Sequence, residues 1–136
     1  MNKLVLSARE ASLTGSLKIL SEPVTWAVHY WNSTKDVISW RCELPRPGSY
    51  SVELNYSLAS TMTGGIFSIG IGKDILIVSA LPTLGWDDFK TFSLGFLIIR
   101  EKGPIEIEIR AICLPDQPEA SMPDIAWISL TPFKEP

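Results

Sequence analysis

The chain holds a single histidine, His29, and only two cysteines, Cys42 and Cys113. A disulfide framework is therefore out of reach, and no C-x-x-C or Cys/His spacing points to a zinc site, so no metal or cofactor is expected. Charge is scarce as well, at 20% of residues, with 15 acids against 12 bases. Affinity built on phosphate neutralisation does not suit such a balance, which removes nucleic acid from the expected partners. Long apolar runs are also missing. None approaches the roughly 20 residues of a membrane-spanning helix, so no membrane partner is expected. The start, Met1 to Arg9, has too short an apolar run for the core of a signal peptide. As written nothing exports the chain, which places it in the cytoplasm unless it is excised from a secreted enzyme.

What is present is apolar and aromatic. Of 136 residues, 46% are hydrophobic, with five Trp, five Phe and three Tyr. That is enough surface to offset the conformational entropy of one compact domain over residues 1–136, and too little length for two. Period-two alternation dominates, which places successive side chains on opposite faces of a strand. In the segment 37–44, Ile38, Trp40, Cys42 and Leu44 share one face while Ser39, Arg41 and Glu43 share the other. Pro45-Arg46-Pro47-Gly48 breaks that segment, and alternation resumes over 49–56, so the two read as antiparallel neighbours. Segments 66–71 and 74–79 flank a Gly72-Lys73 hairpin turn, and 105–110 alternates after Lys102-Gly103-Pro104. Shorter strands fit 4–7, 17–20, 26–29, 90–99 and 124–130. Residues 8–13 contain helix formers without helical periodicity, so at most one turn is expected there. About nine short strands with regular turns imply an all-β fold, an antiparallel β-sandwich of the jelly-roll kind. The polar segment 115–123 should lie at one end of it.

Catalytic chemistry is poorly supported. One histidine allows one general base, and nothing near His29 resembles a strained nucleophile turn, so His29 reads as a structural or rim residue. Cys42 and Cys113 read as reduced core residues, a disulfide between them requiring that their strands pair. Gly70-Ile71-Gly72-Lys73 fails as a phosphate loop because Phe67 stands where the first glycine belongs. Glu106 and Glu108 share a polar strand face, and Asp87 with Asp88 occupies a turn. Neither place raises a carboxyl pKa as a general acid requires.

Aromatic residues in turns are the more informative feature. Trp86 follows Thr83-Leu84-Gly85 and precedes Asp87-Asp88, while Tyr30-Trp31 ends a short strand. Sugar rings present apolar C–H faces and polar edges, so their sites combine flat aromatics with hydrogen-bonding carboxylates or amides. Trp31 and Trp86 suit that role, or else plug the ends of the sandwich. Trp40 and Trp127, set among alternating apolar residues, read as core.

Several segments in order resemble the galactose-binding-like β-sandwich: 8–15, His29-Tyr30-Trp31, 36–40, 47–54, Gly85-Trp86-Asp87-Asp88-Phe89 and 125–132. The match resembles accessory domains of bacterial sulfatases and fucosidases, and carbohydrate-binding module families six and thirty-five. It implies a non-catalytic carbohydrate-binding module, a saccharide ligand, and a sulfatase or glycosidase catalytic domain as partner. It further implies a ligand site formed by Tyr30 or Trp31, by Trp86 and by Asp124, the last standing where the family usually has Asn. The same resemblance implies a structural calcium, for which Glu10 is a surviving ligand. Ala126 replaces another, so metal is not expected. The alternative is a structural or protein-interaction sandwich without sugar binding, to which the apolar run Phe96-Leu97-Ile98-Ile99 would contribute a doubly covered strand or an interface.

Overall fold

The structure, a computed structural model, describes residues 3–44 and 46–133. Eleven strands follow one another: β1 Leu4–Ser7, β2 Ser12–Leu13, β3 Lys18–Leu20, β4 Ala27–His29, β5 Val37–Leu44, β6 Gly48–Ser57, β7 Ile66–Ile71, β8 Asp74–Ser79, β9 Lys90–Ile99, β10 Gly103–Cys113 and β11 Asp124–Pro132. They form two antiparallel sheets. One is six-stranded, in the order β3-β4-β11-β6-β9 with β1 also on β11, and the other is five-stranded, in the order β2-β5-β10-β7-β8. Among the described residues the single helical turn is a 310 turn at Ala8–Glu10. This is the all-β antiparallel sandwich that the alternation implied.

The core lies between the sheets, filled by alternate residues from each. Ile38, Trp40 and Leu44 of β5, Phe67 and Ile69 of β7, and Ile107 and Ile109 of β10 meet Val52, Leu54 and Tyr56 of β6 and Ile125, Ile128 and Leu130 of β11. Each fully buried side chain of this kind contributes about 1.5–3 kcal/mol of transfer free energy. Two buried polar tips find partners: Trp40 Nε1–H donates to the Ser7 carbonyl at 2.8 Å, and Tyr56 O–H to the Leu81 carbonyl at 2.8 Å. Burial pushes the Tyr56 phenol up to about 12, so it stays a donor.

The β7–β8 hairpin has the expected two-residue connection, with Ile71 opposite Asp74 and Gly72 at a φ of +60° that glycine adopts freely. The expected pairing of 37–44 with 49–56 does not occur. β5 lies beside β10 and β2, and β6 beside β11 and β9, so the chain crosses between layers there. A tight hairpin needs residues with positive φ at its centre, which the two prolines of this connection cannot supply.

Two further expectations are corrected by irregularities in the ladders, and a third by simple alternation. A register shift at Ala126 leaves Ile125 and Ile128 in the core but turns Trp127 to the outer face, where it is half-buried with Lys3 Nζ 5.6 Å from its ring. A second shift, between Ala111 and Cys113, leaves Cys113 exposed rather than in the core, and Cys42 is only half-buried. Although β5 and β10 do pair, Cys42 faces Ile105 while Cys113 lies at the far end of β10, so both thiols are free. On β9 the apolar run conceals plain alternation. Leu97 and Ile99 are buried, while Phe96 and Ile98 are about half exposed on an edge strand covered on one face only.

Candidate functional site

Strand register builds the site. Ile125 of β11 stands opposite Val28 of β4, and both point into the core, so the next residues, His29 and Asp124, emerge together on the outer face of the six-stranded sheet. Their side chains meet, His29 Nδ1 lying 3.1 Å from Asp124 Oδ2. Ser57 of β6 stands opposite Asp124 on the other side, and Lys18 of β3 opposite His29. A polar row thus crosses four strands, solvated at Lys18 and deeply covered at Ser57.

Covering that row changes its protonation. The side chains of His29 and Asp124 are only 12% and 8% exposed. Loss of water lowers the His29 pKa below its ordinary value, with the Glu22 backbone carbonyl acting weakly in the opposite sense. Nε2 nevertheless makes no well-formed hydrogen bond among the described residues, and neither does Ser57 Oγ. Burial raises the Asp124 carboxyl to about 7. Both groups are therefore pushed toward their neutral forms. When Asp124 is protonated its O–H donates to Nδ1; when it is ionised, Nδ1–H donates to the carboxylate and Nε2 is left as an acceptor.

The pair forms one wall of a hollow of about 240 Å³ lined also by Pro23, Tyr30, Trp86 and Ser121. Tyr30 reaches it through an unusual backbone, its φ of +63° being the left-handed region that costs a non-glycine residue about 1–2 kcal/mol. Its ring is half exposed. Trp86 is placed by a braced turn. Thr83 Oγ1 accepts the Leu58 N–H at 3.0 Å and lies within donating reach of the Leu58 and Gly85 carbonyls, while Asp88 Oδ2 accepts the Leu84 N–H at 2.9 Å. Trp86 rests half-buried against the core and lines the hollow.

Of the four residues named from the sequence, the structure brings Tyr30, Trp86 and Asp124 around this hollow. Trp31 is absent from it. The left-handed turn at Tyr30 sends the next side chain inward, where Trp31 is fully buried and packs edge-on against Phe67 at 5.7 Å. Trp31 is the plug, and not a displayed ring. His29, Pro23 and Ser121 complete the lining without having been singled out as site residues. For His29 the available signal was its place one residue before Tyr30 at the end of a strand.

The calcium implied by family resemblance does not fit these residues. Glu10 is engaged in closing the 310 turn, its Oε1 accepting the Ser7 N–H at 3.1 Å and the Ser7 O–H at 3.0 Å. Ala126 offers no side-chain oxygen, and the described residues contain no group of three His, Cys, Asp or Glu side chains placed to hold a metal ion.

The two-sheet architecture is the fold of carbohydrate-binding modules of families 35 and 6. No protein-family model matches the chain, and no curated protein matches it in sequence. Among solved structures it is similar to a family 35 carbohydrate-binding module from Clostridium thermocellum, at 17% identity and a TM-score of 0.77, over 98% of this chain and 100% of that one. It is similar to the C-terminal family 6 module of the laminarinase LamC from Zobellia galactanivorans, at 22% identity and a TM-score of 0.75, over 96% and 99% of the two chains. A third likeness is to a GH26-CBM35 β-(1,4)-mannanase from Podospora anserina, at 17% identity and a TM-score of 0.78, covering 98% of this chain and 28% of that enzyme.

Proposed function

We propose that the chain is a non-catalytic saccharide-binding module, and that a sugar ring occupies the hollow between Tyr30, Trp86 and the His29–Asp124 pair. The observation that carries this reading is the convergence of two aromatic side chains with exposed surface and a hydrogen-bonding carboxyl on one concavity. Aromatic faces stack on the C–H face of a pyranose, and the carboxyl and imidazole take its hydroxyl edge. At about 240 Å³ the hollow is smaller than the 300–1,000 Å³ typical of sites for larger ligands, which suits one ring, the end or a branch of a glycan. A shallow site with one or two stacked rings gives dissociation constants from millimolar to micromolar, about −4 to −8 kcal/mol. As a partner, an appended or neighbouring glycosidase or sulfatase domain would gain residence on its substrate.

Glycan-array screening followed by calorimetry tests this. Binding that is lost in Trp86→Ala and weakened in Tyr30→Ala, with unfolding unchanged in shape, is the expected result. Absence of binding to every glycan, or an affinity indifferent to Trp86→Ala, would overturn the site.

A further inference from the structure

We propose that the sugar taken by this hollow is an amino sugar, a pyranose bearing a protonated amine, with the ammonium set against Asp124 and a C–H face against Trp86 or Tyr30. This inference rests on the saccharide reading above and names the ligand class for the same site.

The charge of the lining has one sign. Among the described lining residues, Pro23, Tyr30, Trp86 and Ser121 carry no charge near neutrality, no Lys or Arg is present, and His29 is held toward its neutral form. Asp124 alone can ionise to a full charge there. Two aromatic side chains share the concavity with it, and aromatic faces attract cations, more strongly as water is excluded. A carboxylate beside aromatic faces is a combination suited to an ammonium group.

The residues next to the lining along the chain include acids and no bases. Exposed Glu22, Asp87 and Glu119 lie within two residues, along the chain, of Pro23, Trp86 and Ser121. Of the cations on neighbouring elements, Lys18 faces His29 from β3 but is exposed and screened by water, and Lys90 of β9 is drawn to Asp88 at 3.6 Å. Asp88 itself is engaged with the Leu84 N–H, and Ser57, facing Asp124 from β6, is neutral.

Other sugars use these groups less well. A uronic acid would set its carboxylate against Asp124 with no cation in the lining to balance it. A neutral hexose would offer only hydroxyl donors, weaker partners for an ionised carboxylate than an ammonium. The ammonium has several donors, and the ionised carboxylate keeps lone pairs for them beside its contact with Nδ1.

The experiment is isothermal titration of the full chain with three trisaccharides at pH 7.5: the fully deacetylated glucosamine trimer, its N-acetylated counterpart and cellotriose. The glucosamine trimer should bind at least tenfold more tightly than the other two, and Asp124→Asn should erase that preference. Its affinity should rise with pH as Asp124 ionises near pH 7 and fall again at higher pH as the sugar amine loses its proton. Equal binding of the three, a preference for either neutral trimer, or a preference that persists in Asp124→Asn would overturn the amino-sugar assignment while leaving a saccharide site standing. No binding by these trimers or by any glycan on an array would overturn both.

Discussion

His29 and Asp124 occupy directly opposed positions on β4 and β11, with Nδ1 and Oδ2 3.1 Å apart, and each is driven by burial toward its uncharged form. The fold therefore holds a proton on Asp124 more tightly than the unfolded chain does. Because the folded carboxyl sits at about 7 against an ordinary 3.8, its contribution to stability is complete below about pH 4 and is lost as pH rises to about 7. His29 acts in the opposite sense, since a lowered pKa makes folding release its proton at pH values below 6.5.

Asp124→Asn isolates the carboxyl. The amide is uncharged at every pH and can still donate to Nδ1. It should stabilise the protein little at pH 4 and progressively more up to pH 8, with a ceiling of about 4 kcal/mol set by moving the carboxyl from 3.8 to about 7. Urea unfolding of both proteins at several pH values checks this. A gain that is flat with pH would contradict it.

Trp31 and Trp86 should separate stability from recognition. Removing the fully buried ring in Trp31→Ala leaves a cavity beside Phe67 and should cost about 3–5 kcal/mol. Trp31→Phe should cost much less than that, because the indole Nε1 has no partner to lose among the described residues. Trp86→Ala should cost less than Trp31→Ala in chemical denaturation while abolishing saccharide binding.

Tyr30→Gly should raise stability and weaken the ligand together. Glycine removes the about 1 kcal/mol of strain at φ +63° and at the same time removes one aromatic side chain from the lining. Thermal unfolding and titration on the same samples would show the two effects moving in opposite directions.

Thr83 is a positioning residue for Trp86. Thr83→Val preserves shape but leaves the buried Leu58 N–H without the Oγ1 acceptor, which should cost about 1–3 kcal/mol. It should also reduce affinity, while Thr83→Ser retains most of both. Comparing ligand-induced quenching of Trp86 fluorescence in the two variants would distinguish loss of positioning from general destabilisation.

Much of the architecture was legible because alternation is a local signal. The Ile38, Trp40 and Leu44 face, the Gly72-Lys73 turn and the outer strands all follow from side-chain parity and turn chemistry. Parity fails where the backbone skips. The register shift at Ala126 turned Trp127 outward, and the one at Ala111–Cys113 left Cys113 exposed, because an added residue exchanges the faces and leaves no composition mark. Strand partnership is non-local, so β5 and β6 could look like a hairpin and lie in different layers. In the site, Tyr30 and Trp86 were readable as residue types suited to sugars, while Asp124 came only with the family resemblance. The contact between His29 and Asp124 was not, since it depends on the pairing of strands about 95 residues apart.

The left-handed residue at position 30 joins two aromatic side chains with opposite destinations, one immobilised against Phe67 and the next one back left at the surface. The exposed phenol is thereby tethered, through a single peptide link, to a fully buried indole in the core. A ligand meeting it needs to freeze few backbone torsions, so association should be fast and its unfavourable entropy small for so shallow a concavity.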